Sequence, residues 1–228
     1  MLSETQLLDI LLDDVWQALP PIKRAAAIAS IGLADLGAVH GTWNPDTHVL
    51  TLNPVLFVHA PLAALPLIDA HGNAPAQTEP WVSRAYHTLT HECLHAIGTA
   101  TGLDQHPEYL ALAGWVEASD DPPGTGRYWE RRPGWEQGPS AWRYRQGTWF
   151  VRDYATKSPY EAFADACTHL TLGWDAFFTG TNGQAQRAWL RRHVFEETGG
   201  RGLQARVQRW GASRCQPSLT SSLPVARH

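Results

Sequence analysis

Residues 81–100 read WVSRAYHTLTHECLHAIGTA, a helical pattern in which Leu89, Cys93, Leu94, Ala96 and Ile97 share one apolar side and Gly98 or Gly102 marks the end. Within it, His91-Glu92-Cys93-Leu94-His95 is an H-E-x-x-H sequence. Residues four apart lie one turn along the same helix face, so His91 and His95 can bind one metal ion together. Glu92 points about 100° around the helix, close to that ion but outside its ligand set, where a base for a reacting water belongs. The alternative is a core helix whose two histidines are satisfied by neighbours. The apolar side chains argue against it, because they occupy the other side and leave His91, Glu92 and His95 facing a polar cleft. Cys93, inside the motif, reads as a small core residue.

A catalytic zinc takes three protein ligands and keeps one position open. Continuing the motif as H-x-x-G-x-x-H would require a histidine at position 101, where Thr101 stands. His106 is a candidate third ligand, although it sits beyond Gly102 and before Pro107, a loop setting. A stronger one lies downstream. Ser158-Pro159 opens a helical pattern that runs to about Gly173, with Tyr160, Phe163, Ala164 and Cys167 on one side and Glu161, Asp165 and His169 at i, i+4 and i+8 on another. Carboxylates and an imidazole in a stripe on an apolar helix suit packing across a metal site. Ser158 and Glu161 also form a capping-box pattern with Pro159 at the first helical position, so Glu161 is a ligand or a cap on this reading.

H-E-x-x-H followed by Tyr154 and, seven positions later, by Glu161 in an E-x-F-A-D-A helix resembles the gluzincin metallopeptidases. The closest resemblance is to the catalytic domain of anthrax-lethal-factor-type peptidases, over roughly residues 85–100 and 150–170. The resemblance implies a zincin-like domain that uses Zn2+ to hydrolyse a peptide or protein substrate. It also implies His91, His95 and Glu161 as metal ligands, Glu92 as general base, Tyr154 as donor to the substrate oxyanion, and Asp165 as the group that orients a ligand histidine. Two departures stand out. A Trp-rich insert separates His95 from Glu161, and nothing in the chain reads as a receptor-binding or translocation domain, so toxin biology does not carry over. Competing functions are a non-catalytic zincin-fold binding or structural protein, for example in a phage particle, and a zinc amidase acting on cell-wall material.

The remaining sequence sets the frame. At 228 residues with 43% hydrophobic content the chain can bury a core, and we expect one domain over residues 1–214 with a disordered tail over 215–228. Cys93, Cys167 and Cys215 are odd in number and widely spaced, against a disulfide framework or a cysteine zinc site. Residues 1–180 carry 10 basic and 20 acidic side chains while 181–228 carry eight and two, a diluted basic tail that makes a poor nucleic-acid face. The longest apolar stretch, Val55 to Ile68, is interrupted by His59, Pro61 and Pro66 and is too short to span a bilayer, so no membrane role is expected. The N-terminus has no basic region before an apolar run, which points to the cytoplasm, with delivery by a dedicated secretion system left open. The preference for Arg over Lys and the 11 Trp fit a GC-rich bacterial or phage genome.

The expected fold class is α+β, mainly helical with a small sheet of short hairpins. Helices are expected over residues 3–18, capped by Ser3 and stopped at Pro20-Pro21, and from Ile22 to about Leu36, with others near 183–196 and 202–210. Asn44-Pro45-Asp46-Thr47 should turn one hairpin, and Gln146-Gly147 a second that pairs Trp142–Tyr144 with Trp149–Val151. Residues 60–80 look irregular. The Trp-rich segment 115–149 is read either as a groove lining or as a small core of its own.

Overall fold

A computed structural model describes residues 3–57, 67–73, 82–117, 128–130, 142–145 and 147–196. The tail and the helix expected at 202–210 lie outside these residues. The class is mixed α+β, and among the described residues no helix is long and apolar enough to cross a membrane.

Helix α1 spans Glu4–Ala18 and opens with a complete capping box, in which Ser3 accepts from the Gln6 amide and the Gln6 side chain accepts from the Ser3 amide. Its Leu7, Leu8, Leu11 and Val15 are buried. Helix α2, Pro21–Ala27, is far shorter than the helix expected to reach Leu36. The chain leaves helical geometry at Ile28, the Ala29 amide donates to His48, and Ser30–Leu33 becomes strand β1. Strands β2 (Gly41–Asn44) and β3 (Val49–Leu52) form the first expected hairpin, and Asn44 holds its turn by accepting from the Asp46 and Thr47 amides. β3 is the central strand, parallel to β1 and antiparallel to β2.

Two short strands, β4 (Leu67–Ile68) and β5 (Val82–Ser83), lead into helix α3, Arg84–Thr101, the predicted motif helix. It ends at Gly102, whose φ of 67° is a left-handed cap that glycine adopts without strain. Leu89, Cys93, Leu94, Ala96 and Ile97 are fully buried, as the periodicity requires. Helix α4, Pro107–Leu112, precedes strands β6 (Trp115–Glu117), β7 (Tyr128–Glu130) and β8 (Trp142–Arg145). β8 pairs with β6 and β7, not with Trp149–Val151, so the second expected hairpin does not form. Trp149 instead tilts against Phe178 at 4.9 Å, beneath the last described helix, α6, over Gly180–His193. Within the Trp-rich region Trp115 is buried edge-on to Tyr144 and Phe150, a small aromatic core.

Helix α5 spans Pro159–Thr171 and packs along α3. The contact is close because Gly98 has no side chain, and a Cβ there would stand 2.8 Å from the Phe163 ring. Further along α5, the fully buried His169 has Nδ1 2.8 Å from the Asp165 carbonyl and Nε2 3.0 Å from the Ala70 carbonyl in the loop after β4, and the neutral ring, with one N–H, donates to one of the two. Burial outweighs both carbonyls and lowers its pKa to about 4. The unfolded chain, with an ordinary histidine, therefore takes up this proton first, and stability falls as pH drops from about 6.5 towards 4. Between pH 7 and pH 5 this one group should cost about 2 kcal/mol. Urea midpoints of wild type and His169→Gln should differ in pH slope by that amount; parallel slopes would refute the assignment.

Candidate metal centre

The centre forms where α3 meets the amino end of α5. His91 and His95 project from successive turns of α3, and Glu161 from the first turn of α5. Three atoms converge: His91 Nε2 lies 3.0 Å from His95 Nε2, and each is 3.1 Å from Glu161 Oε2. Ligand atoms held about 2.0–2.1 Å from a tetrahedral zinc stand about 3.3–3.4 Å apart, so the triangle and its N, N, O donor set fit that ion with slight contraction. Among the described residues no other group of His, Cys, Asp and Glu draws together in this way.

Cap and ligand turn out to be compatible roles for Glu161. Ser158 Oγ accepts from the Glu161 backbone amide at 3.1 Å, which starts the helix and leaves the carboxylate pointing at the histidines. Tyr154, on a short 3-10 turn over Asp153–Lys157, donates from its hydroxyl to Glu161 Oε1 at 3.3 Å. Its burial and the nearby carboxylates raise the phenol pKa, so it remains a proton donor at neutral pH.

Asp165, one turn after Glu161, lies beneath His91 with Oδ1 3.0 Å from Nδ1, an off-line approach. Arg152 grips both Asp165 oxygens, with Nε donating to Oδ2 at 2.7 Å and Nη2 to Oδ1. Arg152 balances Asp165, and the Glu161 carboxylate faces the two imidazoles. Burial opposes charge on His91, but Asp165 and Glu161 outweigh it and raise its pKa to about 10 in the metal-free chain. The same contacts, against the effect of burial, hold both carboxyls well below the usual range.

Glu92 points to the side of the triangle and lines a cavity of about 410 Å3 together with His91, Thr88, Arg84, Gly41 and Tyr154. Burial raises its carboxyl pKa. Strand β2 forms the opposite wall at very close range, since a Cβ on Gly41 would meet Thr88 Cγ2 at 2.8 Å and Glu92 Cγ at 2.9 Å.

The structure thus brings together His91, His95, Glu92, Tyr154, Glu161 and Asp165. It keeps His106 apart: that ring caps α4 by accepting from the Glu108 amide and lies against Trp189. Thr101 bonds back to the Ile97 carbonyl. Sequence reasoning missed Arg152, whose adjacency to Asp153-Tyr154 gives no sign that it will reach Asp165. His87 and Arg84 also line the cavity, one and two turns before His91 on α3, and extending the polar face of the helix would have found them.

Asp165→Asn tests the support beneath the ligands. It leaves the largely buried Arg152 guanidinium, 15% exposed, without its counter-charge, which should destabilise the fold by about 3–5 kcal/mol. It should also loosen His91 and lower metal affinity by about 10–100-fold. Urea unfolding and chelator competition read the two effects; an unchanged midpoint would show that the pair contributes nothing net.

Compared with known proteins, the chain matches no family model, no curated protein sequence and no solved structure.

Proposed function

We propose that the chain is a zinc-dependent metallopeptidase with a zincin-like fold, of the gluzincin kind. The observation that supports this reading most is the convergence of His91 Nε2, His95 Nε2 and Glu161 Oε2 within 3.1 Å, with the Glu92 carboxylate beside them in a cavity wall. A structural zinc site is usually closed by a fourth protein ligand, whereas three ligands beside a cavity leave a position for water or substrate.

When bound, zinc supplies a Lewis acid for the scissile carbonyl and lowers the pKa of its water from 15.7 to about 7. His91, His95 and Glu161 would hold the ion. Glu92 takes the proton of the attacking water and returns it to the leaving amine, a role that suits a carboxyl whose pKa burial has raised. Tyr154 releases its hydrogen bond to Glu161 and donates to the developing oxyanion, so this donor acts where charge appears in the transition state. Asp165 keeps the His91 ring from rotating, and Arg152 keeps Asp165 in place.

The test is chelation. Protein stripped of metal should hydrolyse neither casein nor a peptide library, and near-stoichiometric Zn2+ should restore activity. Hydrolysis confined to peptidoglycan fragments would make the chain an amidase. Stoichiometric zinc with no hydrolysis in any of these assays would leave a binding module.

A further inference from the structure

The polar face of α3 continues beyond the metal centre. Thr88 and His87 precede His91 by about one turn, Arg84 by two, and all three line the same cavity as Glu92. Arg84 is the first residue of the helix and is half-buried. Among the described residues no carboxylate lies within ion-pair distance of it, whereas Arg152, which lines the same cavity, is paired with Asp165. Glu92 is the cavity's only carboxylate among the described lining residues, and it belongs to the reaction.

The start of the helix adds a second positive contribution. The cap residue Ser83 accepts no amide, its buried Oγ has no hydrogen-bond partner among the described residues, and the first turn holds no acidic side chain. The positive end of an 18-residue helix and a guanidinium with no carboxylate partner among the described residues thus lie together at the cavity wall. Facing the cavity with no carboxylate of the described residues beside it, the Arg84 guanidinium can receive an anionic group of the substrate.

We infer that Arg84 forms a subsite for a carboxylate on the substrate, so that acidic peptides are preferred. This rests on the peptidase reading for its choice of substrate. Seven residues of helix separate Arg84 from His91, about 10 Å at 1.5 Å per residue. An extended peptide covers about 3.3–3.6 Å per residue, which places the recognised carboxylate within three positions of the scissile bond. Arginine suits the role because its planar fork meets a carboxylate in two hydrogen bonds.

Equilibrium binding separates this inference from hydrolysis. Zinc-loaded full-length protein carrying Glu92→Gln would be titrated with a fluorescent peptide series in which single positions carry Glu or Gln, each with a free or an amidated C-terminus. One Glu position should bind at least tenfold more tightly than its Gln counterpart. Adding Arg84→Gln should erase that ratio, and Arg84→Lys should restore part of it. Zinc content and thermal melting would verify that the Arg84 variants remain folded and loaded. A preference that follows the free C-terminus in place of a Glu side chain identifies the carboxylate as the terminal one and supports the subsite equally. A Glu/Gln ratio unmoved by Arg84→Gln, or no acidic preference and no binding at all, overturns it. Arg84-dependent binding by a chain whose wild type cleaves none of these peptides sinks the peptidase reading and leaves the subsite standing.

Discussion

Glu161→Gln should release the metal while leaving the helix that carries it intact. Its backbone amide, not its carboxylate, bonds to Ser158, so the cap survives the substitution. The amide side chain is a much poorer ligand, and it brings no charge to the two imidazoles now 3.1 Å from Oε2. Far-ultraviolet circular dichroism should therefore be unchanged, while zinc content and hydrolysis fall to background. His91→Ala and His95→Ala should also strip the ion, because two remaining ligands rarely retain it against dilution. A variant Glu161→Gln that kept stoichiometric zinc would reduce this residue to a helix cap. Zinc loss confined to Asp165→Asn would move the ligand one turn along α5.

Glu92→Gln should do the opposite. Its side chain is outside the ligand triangle, so the ion stays. The amide cannot take a proton from water, and loss of a general base costs about 10²–10⁴ in rate. Metal analysis and kcat/KM on one peptide, measured on the same preparation, read both quantities. If Glu92→Gln lost its zinc while His91→Ala kept it, the roles along α3 would have to be exchanged.

The positions of these residues were legible in the sequence because local patterns carry them. The 3.6-residue periodicity placed Leu89, Cys93 and Leu94 inside and the two histidines on the cleft side, and the spacing from Tyr154 to Glu161 bridged one turn into one helix. What failed depended on distant partners. The run Ile22 to Leu36 is rich in Ala and Leu and reads as helix, yet Ser30–Leu33 is held by β3, almost twenty residues later. Local propensity has no knowledge of that neighbour. Trp142–Tyr144 was recognised as a strand and given the wrong partner for the same reason, since β6 lies across a long insertion while Trp149 is nearby in sequence. Arg152 was invisible because its importance lies in reaching Asp165, thirteen residues away.

The missing side chain at Gly98 makes the spacing between α3 and α5 a gauge for any ion bound at the triangle. Phe163 occupies the space a Cβ would take, and it lies two residues from Glu161 on the same rigid helix. A single methyl at position 98 would act as a shim, levering α5 outward and carrying Oε2 away from both imidazoles. A metal held at the triangle would then be sensitive to sub-ångström changes in how two helices rest on each other, at a contact made by residues that do not themselves bind it. Wear in that joint would register as lost metal together with lost stability.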